Sequence, residues 1–341
     1  MSSSRAASVA VVALALAPGS AWASQECDGF VPQPLWCFQD IICPGYAEYW
    51  DVKRSVVHIY GPDINGTGVL INNRDCAVNE NGCQTPYMLT AAHTFAPWAN
   101  QPTENQVYAL ENETLFTVGY ENVFCGGDTP GDAISVDHAT LLKVDPQKDL
   151  ALLQLSTTIP EAAAPYFMGW DSTPRDLFAA AAITHPCNGP KRISVVLPDT
   201  TIYQQAVGVN WYVVQFWEAG ETAEGSSGGP LLTEDGGLLG IYSQNFDGRS
   251  YQTCVDATWP TDDAFVAMNS ILEFLPSDID GSLASIDPFD GDPDVVVPTL
   301  LQVSDEFIAG TAKILEASVE VRLVDPFHAH RASEIIIRVN P

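Results

Sequence analysis

Three separated segments of the sequence carry residues that together could perform nucleophilic catalysis. The first is the run 89–92 followed by His93, the second begins at Asp149, and the third is the run 225–230, Gly-Ser-Ser-Gly-Gly-Pro. A serine hydroxyl is a poor nucleophile until a base removes its proton, and an imidazole can accept and later return that proton near neutral pH. A buried carboxylate can fix the imidazole tautomer. We therefore predict that Ser227 is a nucleophile, His93 its general base and acid, and Asp149 the residue that orients His93.

The small residues around Ser227 allow a tight turn of the backbone. Such a turn would aim the N–H groups of Gly225 and Ser227 at the charge that develops on an attacked carbonyl oxygen, so we predict that they form an oxyanion hole. Each segment alone also has an ordinary interpretation, as a glycine turn, a packed histidine or a capping aspartate. The order His, Asp, Ser is that of the chymotrypsin fold, and the combination favours catalysis.

The elements that must position these residues are predicted to be mainly strands. Short β-branched and aromatic runs, broken by Gly, Pro, Asn and Asp, extend from about Cys37 to Leu275 and indicate a barrel or sandwich. The predicted strands include 55–60, 68–71, 106–110, 150–155, 193–197, 207–216 and 237–243. One helix is predicted near 262–275, where apolar residues recur on one face.

The two ends of the chain differ in character from this middle part. Residues 1–23 are typical of a secretory signal peptide, with Arg5 before a short apolar run and an Ala-Trp-Ala cleavage site, and the alternative is a membrane anchor or buried helix. We expect a secreted or periplasmic protein that begins at Ser24, with one domain over 24–275. Residues 276–298 are rich in Asp, Gly, Pro and Ser and predict an acidic linker. Residues 299–341 predict a small β module, which either attaches the protein to a surface or envelope or forms a hairpin on the preceding domain.

Composition restricts the partners. The formal net charge of the 341 residues is −29, and a polyanion repels nucleic acid and anionic membranes, so neither is an expected partner. The charge either attracts basic substrates or keeps an extracellular protein soluble. The acidic linker lacks the ligand spacing of a calcium loop, and His328 and His330 lack neighbouring ligands, so no metal site is predicted.

The motifs resemble those of trypsin-like serine proteases and, more narrowly, of bacterial lysyl endopeptidases. The resemblance covers about 37–275 and rests on short runs in the same order. These are Cys37 with Cys43-Pro44, 66–73 (Gly-Thr-Gly-Val-Leu-Ile-Asn-Asn), 169–171 (Gly-Trp-Asp), 185–186 (His-Pro), 191–194 (Lys-Arg-Ile-Ser), and Thr222 with 225–228.

This resemblance implies an all-β fold of two antiparallel six-stranded β-barrels, with the catalytic residues in the cleft between them and a C-terminal helix. It implies a serine endopeptidase that needs no cofactor and acts on protein or peptide substrates, after Lys or Arg. Two alternatives remain open: a serine protease of other specificity, for Glu or small residues, and a non-catalytic binding or adhesion protein on a protease scaffold.

All eight cysteines follow the predicted cleavage site, and an even number in an exported chain favours disulfides. The resemblance implies the pairs Cys37–Cys254 and Cys43–Cys125. Cys76 and Cys83 could close their own loop, which leaves Cys27 with Cys187. The bridge that the family carries beside its catalytic histidine is missing, because Thr94 follows His93.

A basic substrate side chain needs a buried carboxylate as its partner. The resemblance to the lysyl enzymes places that acid at Asp263 or its neighbour Asp262, whereas the trypsin position, six residues before the nucleophile, is Glu221. A surface acid is the alternative for each. Thr222 and the backbone of Ser243 to Asn245 complete the predicted substrate-binding residues.

Two further features depart from the pattern of the lysyl enzymes, and a third, Ser226, separates this chain from the digestive proteases. Ser243 stands where the lysyl enzymes carry a histidine, and no tryptophan matches the one beside their triad. Ser226 replaces the aspartate that pairs with a newly cut N-terminus in digestive proteases, so we predict activity without cleavage of an internal zymogen site.

Overall fold

The computed structural model describes residues 38–72 and 85–276, apart from 128, 158, 164, 177, 197, 207, 235 and 247–261, together with Ile279 and, as backbone only, seven strands between 294 and 339. The expected signal peptide, most of the expected linker, and Cys27, Cys37, Cys76, Cys83 and Cys254 lie outside these residues. Among the described residues, no helix is both long and apolar enough to cross a membrane.

The first 15 strands form two antiparallel sheets. They are β1 Gln39–Asp40, β2 Val56–Gly61, β3 Ile64–Ile71, β4 Tyr87–Ala91, β5 Leu115–Val118, β6 Ile134–Asp137, β7 Ala139–Asp145, β8 Leu150–Leu155, β9 Ala180–Thr184, β10 Arg192–Val196, β11 Thr201–Ala206, β12 Val209–Val214, β13 Pro230–Leu232, β14 Leu238–Asn245 and β15 Asp263–Ala267. Two α-helices accompany them, α1 Glu104–Asn112 and α2 Met268–Leu272.

The first sheet has seven strands in the order β6-β5-β2-β3-β4-β8-β7, and the second has eight in the order β1-β10-β9-β13-β14-β15-β12-β11. The expectation of an all-β fold with two antiparallel units is confirmed. The strand numbers exceed the expected six because short edge segments also pair, such as the two residues of β1 against β10.

Apolar residues of both sheets meet in one shared core. It includes Val56, Val69, Leu89 and Leu152 from the first sheet and Ile183, Trp211, Ile241 and Val266 from the second. Burial of each such side chain contributes about 1.5–3 kcal/mol to folding. Ile279, inside the expected linker, is 1% exposed and belongs to the same core. The junction of the two sheets is therefore packed.

Two predicted elements are wrong in type. The predicted strand 106–110 lies inside helix α1, because Thr103 and Gln106 form a reciprocal capping box that begins a helix. The predicted helix over 262–275 is a helix only from Met268 to Leu272. The residues before it form β15, which is buried throughout and paired on both sides, with β12 and β14.

The C-terminal strands pair in parallel. They are β16 Asp294–Val297, β17 Leu300–Val303, β18 Glu306–Phe307, β19 Ala312–Ala317, β20 Glu320–Leu323, β21 His328–Ala329 and β22 Glu334–Val339. β19 lies between β16 and β22, β17 pairs with β20, and β18 pairs with β21. A hairpin, the alternative expected for this region, needs antiparallel neighbours, and none of the described pairs between 294 and 339 is antiparallel.

Two of the described cysteines form the predicted Cys43–Cys125 bridge. Cys187 is disulfide-bonded as well. Because the other two described cysteines bond to each other, the partner of Cys187 lies outside the described residues.

Every Lys and Arg whose side chain the structure describes has a partner. The ion pairs are Lys53–Glu121, Arg54–Asp51, Lys148–Glu273, Arg175–Asp171 and Arg192–Asp40. Lys143 and Lys191 donate to the backbone carbonyls of Phe274 and Lys53.

Candidate active site

Strands β4 and β8 of the first sheet bring His93 and Asp149 together. Ala91, at the end of β4, pairs with Leu150, at the start of β8, and Ala92 N–H donates to the Asp149 carbonyl over 3.1 Å. Asp149 has a positive φ of 55°, a conformation that aspartate tolerates better than most residues. Asp149 Oδ1 accepts from His93 N–H at 2.9 Å, and its Oδ2 lies 2.7 Å from His93 Nδ1.

A third donor completes the surroundings of the Asp149 carboxylate. Ser243 Oγ donates to Asp149 Oδ2 over 2.7 Å. The β14–β15 pairing is irregular between Tyr242 and Gln244, so Ser243 sits at a bulge, where a strand can redirect a side chain. Asp149 is 2% exposed, and its hydrogen bonds offset the cost of burying a carboxylate.

Ser227 lies in a tight turn of the second sheet, directly before β13. Its Oγ is 2.7 Å from His93 Nε2, so His93, Asp149 and Ser227 form one hydrogen-bonded chain across the junction of the two sheets. The turn requires glycine at its flanks: Gly225 has φ +89° and Gly228 has φ +86°. A Cβ on Gly228 would overlap Thr67 O and Thr90 Oγ1.

The backbone around Ser227 also presents the N–H groups of Gly225 and Ser227. The Glu224 carbonyl accepts from Cys187 N–H at 2.6 Å, and the Ser226 carbonyl accepts from Gly229 N–H at 2.9 Å. In a trans peptide the N–H points away from the carbonyl, so the Gly225 and Ser227 N–H groups point the other way. Neither finds an acceptor among the described residues. Backbone N–H groups beside a nucleophile are the kind of donor that can bind an oxyanion.

Thr67 of β3 ties this turn to the first sheet. Its N–H donates to Ser227 O over 2.8 Å and its Oγ1 donates to Gly225 O over 2.7 Å. The Thr67 carbonyl in turn accepts from Thr90 Oγ1. Because Thr67 is fully buried, these bonds are shielded from water and fix the turn against the sheet that carries His93.

Sequence reasoning missed a tryptophan beside His93. The ring of Trp98 lies 5.3 Å from the His93 ring, centroid to centroid, and Trp98 is 42% exposed. A turn holds it there, in which Asn100 donates from its backbone N–H to Pro97 O and from its side chain to Trp98 O. The sequence held one indication that Trp98 lies near His93, because it follows His93 by only five residues.

Asp263 lies in a separate polar cluster of the second sheet. Asp263 Oδ2 accepts from Trp217 Nε1 and Thr222 Oγ1, both at 2.7 Å, and Oδ1 accepts from Tyr242 OH at 3.1 Å and Asn245 Nδ2 at 3.4 Å. Asp263 is 1% exposed. Burial raises its pKa to about 6, and the four hydrogen bonds oppose that rise.

Of the predicted substrate-binding residues, Thr222, Asn245 and Asp263 therefore meet in this cluster. Asp262 is partly exposed, with a φ of 45°, and Glu221 is partly exposed beside Thr222. Ser243 contacts Asp149 instead. Sequence reasoning missed Trp217 and Tyr242, which lie outside the family motifs used to locate the pocket.

Ser226 is fully buried among neutral groups. Its Oγ donates to Thr184 Oγ1 at 3.1 Å and accepts from Ala223 N–H at 3.1 Å. Among the described residues no group of three or more His, Cys, Asp or Glu side chains is placed to hold a metal ion.

A family model described as "Lysyl endopeptidase, C-terminal domain" matches residues 35–265, more than half of the chain. Among solved structures, the active form of the Rv3671c protease from M. tuberculosis is 18% identical, with a TM-score of 0.44 over 73% of this chain and 92% of that one. The serine endoprotease from Yersinia pestis is 16% identical, with a TM-score of 0.44 over 68% of this chain and 65% of that one. The MamO protease domain from Magnetospirillum magneticum is 18% identical, with a TM-score of 0.41 over 67% and 99%.

Proposed function

This chain belongs to the lysyl endopeptidase family and is a serine endopeptidase, and we propose that it is an exported enzyme that cuts peptide bonds after lysine or arginine, with His93, Asp149 and Ser227 as its catalytic triad. Two contacts support the proposed triad. Asp149 Oδ2 lies 2.7 Å from His93 Nδ1, and His93 Nε2 lies 2.7 Å from Ser227 Oγ.

In the proposed mechanism, His93 Nε2 takes the proton of Ser227 Oγ as this oxygen attacks the peptide carbonyl. The carbonyl oxygen becomes negative and accepts from Gly225 and Ser227 N–H. Asp149 holds Nδ1–H and stabilises the imidazolium. The C–N bond then breaks, His93 gives its proton to the leaving amine, and an acyl-enzyme remains. Water then attacks the ester carbonyl while His93 takes its proton. The bond between the acyl carbon and Ser227 Oγ breaks, and His93 gives that proton to Ser227 Oγ, which frees the enzyme and the carboxylic acid product.

Asp263 is the proposed partner of the basic substrate side chain. It is buried and lacks a cationic partner among the described residues, and three of its four donors are within 3.1 Å. Asn245 Nδ2, at 3.4 Å, makes the longest of the four contacts. A substrate ammonium group could take the place of this donor at lowest cost, because the lost contact is weak.

Export is proposed from the first 23 residues. N-terminal sequencing of protein recovered outside the expressing cell should begin at Ser24. A start far beyond Ser24 would contradict both the signal cleavage and the expected activity without internal processing.

A peptide library cut by the purified protein tests the triad and the specificity together. We expect cleavage after Lys or Arg, abolished in Ser227→Ala and unchanged in Ser135→Ala, which alters an exposed serine on β6. No cleavage by the unaltered protein would favour the binding-protein alternative.

A matched pair of variants tests which aspartate binds the basic substrate side chain. We expect Asp263→Asn to lower kcat/KM for lysine peptides by at least about 30-fold, because removing one member of a buried charge pair costs about 2–5 kcal/mol. Asp262→Asn should stay within about 2-fold of the unaltered enzyme. A loss in Asp262→Asn alone would assign the role to Asp262, and unchanged specificity in both would leave the protease with a different preference.

A further inference from the structure

We propose that Cys187, through its disulfide and its backbone N–H, is a positioning residue that keeps the Gly225 N–H directed at the oxyanion. This inference rests on the proposed function, because it assigns a support to the proposed oxyanion hole. Cys187 was predicted from the sequence only as half of a disulfide, and it lies far along the chain from Ser227.

The first observation is the contact between the two loops. Cys187 N–H donates to the Glu224 carbonyl over 2.6 Å. The Glu224 carbonyl and the Gly225 N–H belong to one planar peptide and point in opposite directions. While Cys187 holds the carbonyl on one side, the N–H must face the other side, where the substrate carbonyl would lie.

The second observation is that this peptide needs a support. Gly225 has φ +89° and no side chain, so the Glu224–Gly225 peptide can rotate with little steric resistance. A rotated peptide would direct the Glu224 carbonyl at the substrate oxygen and repel the developing charge. The charged anchor that digestive proteases place next to the nucleophile is absent, because Ser226 is neutral and bonds to Thr184.

The third observation is that Cys187 itself is held in an uncommon conformation. Cys187 has φ 54° and Asn188 has φ 57°, a left-handed pair that non-glycine residues adopt only where neighbouring structure enforces it. The disulfide of Cys187 tethers one residue of this pair. On the other residue, the Asn188 side-chain oxygen lies 3.2 Å from His58 Nε2 of the first sheet.

Side-chain packing also holds the loop before Gly225 against Cys187. Cys187 packs against Phe38 and Ala223, and Ala223 belongs to that loop. A Cβ placed on Gly225 would lie 3.3 Å from Asn188 N and 2.6 Å from His185 O. The segment 185–188 therefore lies directly against the peptide that it is proposed to orient.

The test compares Cys187→Ala with a variant that lacks the other described bridge, the double change Cys43→Ala and Cys125→Ala. For each full-length protein we would measure kcat and KM on a lysine peptide, the Ki of a peptide aldehyde that forms a hemiacetal with Ser227, and the Kd of hexylamine. The aldehyde uses the oxyanion hole, whereas the amine uses only the side-chain pocket.

We expect Cys187→Ala to lower kcat by about 10-fold or more, towards the 10²–10³-fold loss typical of removing one oxyanion donor. The aldehyde Ki should rise by a similar factor, while KM and the hexylamine Kd stay within about 2-fold. The double variant should lose thermal stability but keep kcat and the aldehyde Ki. Cys187→Gly, which adopts the left-handed conformation freely yet lacks the tether, should behave as Cys187→Ala does.

Several results would overturn the inference. Unchanged kcat and aldehyde Ki in Cys187→Ala would show that the tether does not support the peptide. An equal weakening of aldehyde and amine binding would show general disorder of the site, and failure of both Cys187 variants to fold would show a requirement of the whole domain. If Ser227→Ala kept full activity, the proposed function and the inference would fail together, whereas an inactive Ser227→Ala beside an unaffected Cys187→Ala contradicts the inference alone.

Discussion

At the scale of single residues, Asp263 is the side chain whose charge state matters most for the proposed specificity. Its carboxyl is buried with four neutral donors and, among the described residues, no cation. Burial raises its pKa from 3.8 to about 6. The carboxylate that would bind a lysine is thus lost by protonation at a pH that leaves most surface carboxylates ionised.

We expect the preference for lysine to weaken as the pH falls through about 6. Protonation of Asp263 removes the negative charge that a lysine side chain needs, whereas an uncharged norleucine side chain does not depend on it. The measurement is the ratio of kcat/KM for a lysine peptide to that for its norleucine analogue between pH 5 and 8, since effects on the proposed triad cancel in the ratio. In Asp263→Asn the ratio should be small and independent of pH, and a falling ratio there would contradict the assignment.

Trp98 is predicted to contact the substrate residue that precedes the cleaved one. Side chains of an extended substrate alternate between two faces, so the residue before the one bound at Asp263 points to the opposite side, where we place His93 and Trp98. For peptides with Leu before Lys, we expect Trp98→Ala to reduce kcat/KM by about 5- to 10-fold, equivalent to about 1 kcal/mol of apolar burial. Peptides with Gly before Lys should change little.

Tyr108→Ala is the control for Trp98→Ala, because Tyr108 is an aromatic residue on helix α1 that is 59% exposed. It should affect neither peptide. Equal losses for the Leu and Gly peptides in Trp98→Ala would argue for an effect on His93 rather than on the substrate residue.

At the scale of elements, the turn before β13 decides whether the two halves of the site meet. Gly225 and Gly228 in this turn have positive φ, and the Gly228 position has no room for a side chain beside Thr67 and Thr90. Gly208 has a similar φ of +76°, but a Cβ added there would meet no heavy atom within 4 Å. A substitution at Gly208 therefore tests backbone strain alone, whereas one at Gly228 tests backbone strain together with steric overlap.

We expect Gly208→Ala to cost about 1–2 kcal/mol of unfolding free energy, the usual penalty for a left-handed non-glycine residue. Gly228→Ala should cost at least about 2 kcal/mol more and lower activity, because a Cβ there must displace Thr67 of the first sheet. Urea unfolding of both variants gives the comparison. Equal losses would mean that the turn can move away from Thr67 without cost.

Local sequence predicted which residues meet at the candidate site better than it predicted some of the elements. The residues at His93, Asp149 and Ser227 carry chemical types in a fixed order, so their proximity could be expected without knowing the sheets. The strand over 106–110 was wrong because β-propensity was considered without the Thr103–Gln106 capping box. The helix over 262–275 was wrong in its first half because a strand buried on both faces has no alternation to distinguish it from a helix. Turns and tertiary packing place Trp98 and Trp217 at their sites. The spacing of apolar residues along the chain does not reveal such contacts, so the sequence did not predict them.

At the scale of the whole molecule, the two sheets share charged as well as apolar contacts. Lys191, next to β10, is fully buried, donates to Lys53 O over 2.6 Å and lies 3.8 Å from Glu121 Oε2. Burial lowers its pKa from 10.5 to about 8, and the Glu121 carboxylate opposes this. A cation buried at this junction makes the stability of the assembled molecule depend on pH.

Because the folded pKa of Lys191 lies below its unfolded value, its contribution to stability is present above about 10.5 and is lost as the pH falls through about 8. We therefore expect the unfolding free energy of the natural protein, relative to Lys191→Met, to increase between pH 8 and 10. Urea unfolding at several pH values measures this difference. A difference that is constant over this range would contradict a lowered pKa.

The partners of the basic side chains have a consequence for the lifetime of the enzyme. With the proposed specificity, the enzyme would meet its own chain as a substrate at high concentration. Every Lys and Arg with a described side chain is held by an ion pair or a backbone carbonyl. To be cleaved, such a residue must first leave its partner and its local fold, which adds an opening step to self-digestion. Cleavage after these described residues should therefore be no faster than the unfolding of their segments, and conditions that break ion pairs, such as high salt, should accelerate it.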